Sequence, residues 1–325
     1  MLTLRVCIDR YCELMTVPSR EAAGFRASRW FKLVWIIPAV IVFAVIVVLV
    51  AKGIRASDGG QSFLRSFPGH SGLPSFAPVG FPAWLAWQHG LNAFFILFII
   101  RSGWMVRTTK RPAAYWTRNN NGLIKTKGSP VRISIDLWMH ITLDTLWVIN
   151  GVLFYVLLFS TGQWTRIIPT SWNIFPNAVS AGLQYASLEW PTENGWANYN
   201  ALQVLSYFLV VFVAAPVAVI TGIRMAPGFA AKFKRFDKVF PLPVARAIHL
   251  PTMVFFVVFI IIHVVLVLAT GAINNLNHMY AVNNGYGWVG FWIFVATIVI
   301  MIAAWIALRP IVLRTLAGFM GKIGR

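Results

Sequence analysis

The stretch "ARAIHLPTMVFFVVFIIIHVVLVLAT", residues 245–270, decides the fold. About 20 mainly apolar residues in a helix cross the hydrocarbon core of a bilayer. This run meets that length, yet it carries two histidines, His249 and His263. A titratable side chain inside a membrane is costly, and its default reading is functional. The rest of the 325-residue chain agrees: 58% is hydrophobic and 11% charged, against about 25% charged in a soluble domain. The 15 tryptophans suit rings anchored at membrane interfaces. A net charge of +19 would suggest nucleic acid in a soluble protein. Here the cations lie in the loops between apolar runs, so no nucleic-acid partner is expected.

Six stretches are long and apolar enough to span: about 32–52, 83–106, 136–160, 200–222, 244–270 and 288–309. The first is not read as a signal peptide. Its apolar run exceeds the roughly 7–15 residues of a signal core, despite the loosely cleavage-like Ala51-Lys52-Gly53. Basic residues orient the spans. Of 28 lysines and arginines, 24 fall on one side, in the tail before span 1, the 107–135 loop, the 223–246 segment, the C-terminal tail and at Arg101. Lys52, Arg55, Arg65 and Arg166 fall on the other. Both termini, 1–31 and 310–325, are therefore expected to be cytoplasmic. Cys7 and Cys12 are too few for a metal site and too local to staple a fold. A start at Met15 would remove both. The other-side segments 53–82, 161–199 and 271–287 are rich in Pro, Gly, Asn and Trp and read as ordered lids. Within them, His278 reads as a surface or packing residue.

Four of the six histidines lie within spans: His89, His140, His249 and His263. With the charge-derived orientation and a rise of about 1.5 Å per residue, His89 and His263 share an outer level, and His140 and His249 an inner one. Fourteen residues leave His249 and His263 about 40° apart around their helix and about 21 Å apart along it. One helix face thus presents one imidazole at each level. This suits two stacked b-type haems, each held by an imidazole from either side. A transported metal ion or a proton path would also use intramembrane histidines. A bare metal site would want carboxylates or thiols beside them, and the only acids in the spans are Asp136 and Asp144.

This arrangement resembles the bacterial cytochrome b561, nickel-hydrogenase and formate dehydrogenase cytochrome b superfamily. It is carried by His89, by His140 in "RISIDLWMHITLD" and by the 14-residue spacing of His249 and His263, over about residues 83–270. The segment "PTSWNIFPNAVSAGLQYASLEWPTENGW" is similar to cytochrome b/b6-domain proteins found with molybdopterin oxidoreductases. The resemblance implies an all-α integral membrane protein of the bacterial cytoplasmic membrane. It would have a four-helix di-haem core in spans 2–5 (83–270), an extra helix at 32–52, a sixth at 288–309 and both termini inside. The extra first span makes the core begin outside, where relatives usually begin inside.

Arg132, Arg224 and Arg246 sit at inner ends of spans and are candidate partners for haem propionates. Arg166, Asn274 and Asn275 are the outer candidates. Asp144, one turn beyond His140, is a candidate to orient that ligand or take a proton. Gly90, Gly151 and Gly222 are candidates for close approach of a helix or a macrocycle. Pro216 and Pro251 are expected to kink their spans. The function expected is that of an electron-transfer subunit between the quinone pool and a partner oxidoreductase docked on the outer face. The chain has no CxxCH, cysteine cluster or glycine-rich dinucleotide motif, so a partner would supply chemistry on any soluble substrate. The alternatives are a self-contained quinol oxidase, or a haem-free transporter or membrane anchor.

Overall fold

Each apolar run folds as a helix because its backbone groups have no water to bond to in hydrocarbon. The computed structural model describes residues 31–121, 130–190, 194–229 and 234–324. Cys7, Cys12, Met15 and the basic residues of the N-terminal tail before Lys32 lie outside those residues, as do Lys125, Lys127 and Lys232. In chain order the elements are α1 (Phe31–Ala56), α2 (Asp58–Ser66), α3 (Ala83–Thr108), β1 (Tyr115–Arg118), β2 (Arg132–Ser134), α4 (Ile135–Ser160), a 3-10 turn (Gln163–Arg166), α5 (Ile174–Ala186), α6 (Ala201–Met225), α7 (Lys234–Val239), α8 (Leu242–Ala269), α9 (Ala272–Tyr280), α10 (Val289–Ala307), α11 (Pro310–Gly318) and β3 (Gly321–Gly324). Six of them, α1, α3, α4, α6, α8 and α10, are long and apolar enough to cross a membrane. The chain is mostly helical.

Helices α3 and α4 are antiparallel neighbours. The Trp147 indole donates to Asn92 Oδ1 at 2.9 Å, and Trp84 meets Phe154 edge-on. Helix α6 changes to π-helical winding over Leu209–Ala214, just before Pro216. A proline has no N–H, and its ring clashes with the carbonyl four residues back. The wider turn takes up that misfit inside the span.

At one end of the bundle, β1 pairs antiparallel with both β2 and β3. Phe98, Ala114, Ile135, Trp138, Met139, Leu313 and Ala317 pack beneath this sheet as the largest buried cluster. The Trp116 indole donates to the Ala317 carbonyl at 3.0 Å. Arg101 donates to the carbonyls of Trp305 and Leu308 at the C-terminal end of α10, where orphan carbonyls accept cations. The segments expected as a basic loop and a C-terminal tail therefore build a platform. A sheet with partners some 200 positions apart leaves no local hydropathy signal.

At the other end, the segments expected as ordered lids carry α2, α5, α9 and the 3-10 turn. Arg166 is 1% exposed and holds this lid. It donates to the Gly80 carbonyl at 2.7 Å and the Gly195 carbonyl at 2.5 Å. Its guanidinium lies over Phe81 and Tyr199. Gly80 has φ +81°, and a Cβ there would fall 2.5 Å from the Trp196 ring, so only glycine fits. Helix α1 stands apart from this packing. Ala51 is its one buried residue. Its lid end is tied by Arg55, which donates to Ser187 Oγ at 2.5 Å and pairs with Glu189 at 2.6 Å.

Candidate functional site

The four span histidines meet as two pairs. His89 of α3 and His263 of α8 have ring centres 6.2 Å apart in the lid half of the bundle. His140 of α4 and His249 of α8 have ring centres 6.3 Å apart in the platform half. The structure thus brings together the partners that depth alone assigned. Among the described residues, no three His, Cys, Asp or Glu side chains cluster to hold a metal ion.

The lid-half pair is walled by aromatic rings. His263 stacks on Phe259 (5.6 Å, 9°) and meets the edge of Tyr207. His89 meets Tyr280 of α9 at a right angle, and its Nδ1 is buried without a hydrogen-bond partner. Tyr199 packs on Tyr207 at 5.1 Å, connecting the pair to the Arg166 latch. Burial pushes the Tyr199 phenol up to about 12, against the pull of Arg166, so it stays neutral. His278 is 2% exposed and packs between Phe81 and Trp196. Its Nε2 bonds Asn284 Oδ1 at 2.9 Å, so it serves packing. His70 is exposed on the surface.

The platform-half pair is held by hydroxyls. Ser102 Oγ of α3 lies 2.9 Å from His140 Nδ1, and Thr221 Oγ1 of α6 lies 2.8 Å from His249 Nδ1. Each hydroxyl is followed by a glycine, and the one beside His140 makes room for the ring. A Cβ on Gly103 would fall 3.1 Å from His140 Cε1, and one on Gly222 would fall 3.7 Å from His249 Cε1. Neither hydroxyl was a candidate from sequence. The faint signal is a Ser-Gly and a Thr-Gly in different spans, each near the depth of a histidine.

The remaining candidates are distributed as follows. Asp144 Oδ2 lies 3.5 Å from His140 Nε2, on the ring nitrogen opposite the one Ser102 holds. Arg224 is buried and bonds the Asp237 carboxylate and, at 2.6 Å, the Phe240 carbonyl. Its charge is therefore met within the chain. The Arg132 guanidinium lies 4.3 Å from the centre of the Tyr115 ring. Arg246 is exposed, one turn before His249. Asn275 is turned back onto Val267 and Thr270. A Cβ on Gly90 or Gly151 would meet no atom within 4 Å, so neither glycine serves contact between helices.

These residues fit a haem. A metal–imidazole bond of about 2 Å, plus about 1.1 Å from ring nitrogen to ring centre, would place the centres of two imidazoles that hold one iron from opposite sides about 6.2 Å apart. The observed 6.2 and 6.3 Å match that span. Open space beside Gly90, next to His89, leaves room for a flat group there.

The family model described as prokaryotic cytochrome b561 matches residues 80–281. Neither the curated proteins nor the solved structures gave a match.

Proposed function

Because this chain belongs to the prokaryotic cytochrome b561 family, it is a membrane electron-transfer protein that binds haem b, and we propose that it holds two haems within a four-helix core at 83–270. His89 and His263 hold one, and His140 and His249 hold the other. When bound, haem supplies a one-electron ferric/ferrous couple. The observation that supports this reading is the pair of imidazole separations, both matching bis-imidazole ligation at two levels of the bundle.

The chain's own residues orient the ligands and exclude water. Ser102 and Thr221 fix the platform-half rings. Tyr207, Tyr280 and Phe259 wall in the lid-half rings. The proposed role is electron transfer across the membrane between the quinone pool and a partner oxidoreductase, of which a molybdopterin enzyme is one class. The charge asymmetry supports a cytoplasmic position for the platform and for both termini. The quinone site is assigned to the platform half, beside His140, Asp144 and Arg246. The partner is assigned to the lid, where Trp172 is 85% exposed and Tyr286 90% exposed.

The test is a reduced-minus-oxidised absorption spectrum of the purified chain, with haem quantified per polypeptide. Two haems per chain are expected. A colourless protein after haem-supplemented expression would defeat the reading, and one haem per chain would defeat the pairing.

A further inference from the structure

Both platform-half histidines are met at Nδ1 by a buried hydroxyl, Ser102 (0% exposed) and Thr221 (1% exposed). A hydroxyl has one proton to donate. Ser102 Oγ lies 3.0 Å from the Ile99 carbonyl. Thr221 Oγ1 lies 2.6 Å from the Val217 carbonyl and 3.1 Å from that of Ala218. Those carbonyls can only accept, and a hydroxyl in a membrane helix ordinarily gives its proton to the carbonyl three or four residues back. Each hydroxyl oxygen is then an acceptor, and the imidazole Nδ1 must carry the hydrogen it receives. Both hydroxyls thereby favour the tautomer with a lone pair on Nε2, the form that binds a metal, in His140 against the Asp144 carboxylate that lies 3.5 Å from Nε2.

We infer that Ser102 and Thr221 are positioning residues that select Nε2 as the ligating atom of His140 and His249 and lower the reduction potential of the haem held there. This rests on the four-histidine ligation proposed above. A hydrogen bond from Nδ1–H to an oxygen acceptor makes the imidazole a more basic ligand, and a more basic ligand favours ferric over ferrous iron. Gly103 belongs to the same device, since a Cβ there would crowd the His140 ring at 3.1 Å, whereas one on Gly222 would meet His249 at an ordinary 3.7 Å. The lid-half pair lacks it on at least one side, because His89 Nδ1 is buried with no partner. That pair therefore serves as an internal control.

The experiment is a potentiometric titration of the full-length, haem-loaded chain, followed optically and by low-spin ferric EPR. His140→Ala identifies which titrating step belongs to the platform half. In Ser102→Ala and in Thr221→Ala, the platform-half step is expected to shift three- to tenfold toward ferrous, about 30–60 mV for one electron. Its EPR signal should move with it, while the lid-half step stays in place. Ser102→Thr and Thr221→Ser restore an oxygen acceptor and should restore the original potential. If an alanine variant does not retain haem, Ser102→Cys, with a weaker acceptor, should give a smaller rise in the same direction. An unmoved platform-half potential in variants that keep both haems overturns the inference, as does an equal shift of both haems. Retention of the platform-half haem by both His140→Ala and His249→Ala would instead defeat the ligation reading, and the inference with it.

Discussion

Replacing Arg166 with Met should open the lid without unfolding the spans. The guanidinium makes two charge-assisted hydrogen bonds to carbonyls, worth about 1.5–3 kcal/mol each. It also lies over two aromatic rings, a contact worth up to about 2 kcal/mol when desolvated. The gross loss is then about 4–8 kcal/mol. Against it stands relief of a buried charge, since among the described residues no carboxylate is paired with Arg166, and that relief is several kcal/mol. Gly80 also keeps its second donor, Gln163 Nε2 at 3.1 Å. The net destabilisation of the lid is about 2–4 kcal/mol, or about 30- to 700-fold in its open population at 1.4 kcal/mol per tenfold. Hydrogen exchange reads this directly, because the amide of Gly80 is bonded to the Trp196 carbonyl and that of Ala201 to the Gly69 carbonyl. Peptides covering 68–82 and 194–201 should lose at least 30-fold protection while those in α4 keep theirs. Arg166→Lys, which reaches one carbonyl but not both, should fall between. Protection within threefold of the parent in the Met variant, or equal loss in α4, would refute the latch.

His89→Ala should remove the lid-half haem and spare the platform-half one, and His140→Ala the reverse; difference spectra at each redox step check this, and equal loss of both in folded protein contradicts the pairing. Gly103→Ala forces a methyl to 3.1 Å from His140 Cε1, so haem retention in the platform half should fall in that variant but not in Gly90→Ala, as haem-to-protein absorbance ratios will show. Burial holds the His278 pKa below its ordinary value, opposed by the bond to Asn284 and assisted by nearby Arg166. The unfolded chain therefore takes up a proton first as pH falls, and the contribution of His278 is full above about 6.5 and is lost below it. Lid protection should weaken from about pH 6.5 downward, and His278→Gln should flatten that slope. A photoactivated quinone analogue should label the platform half near His140 and Arg246, and labelling confined to the lid half argues against that site. Trimming "SWNIFPNAVSAGLQYASLEW" (171–190) should abolish co-purification of a redox partner, whereas loss only on trimming 107–135 assigns the partner to the platform.

The spans and the histidine pairs were legible because both depend on local quantities, hydropathy over one helix and depth along it. The pairing of His89 with His263 needed only the charge rule and a helical rise. Ser102 and Thr221 were hidden for a physical reason. A hydroxyl in a membrane helix ordinarily bonds the carbonyl three or four residues back, and these do so. That each also faces an imidazole on another helix depends on how α3 rotates against α4, and α6 against α8. Arg224 shows the converse. Its position at a span end suggested an external anion, yet Asp237, 13 residues on, already occupies it. Arg166 was visible as an isolated cation, but its burial depends on the carbonyls of Gly80, from another lid segment, and of Gly195, 29 residues on in its own. The platform sheet joins Tyr115 to Ser134 and to Gly324, and such short, distant pairings carry no periodicity to read.

Helix α1 touches the rest of the protein chiefly where Arg55 grips Ser187 and Glu189. Most of its length contacts only the surrounding solvent, which in a bilayer is lipid. Selection on that length therefore acts on composition and not on pattern. Apolar residues between Val34 and Val50 can exchange with one another at almost no cost in stability, while Ala51 and Arg55 cannot. A saturation library across this helix should consequently divide by position along the axis, with a permissive body and an intolerant lid end, and should show no helical periodicity of 3.6 residues in the body.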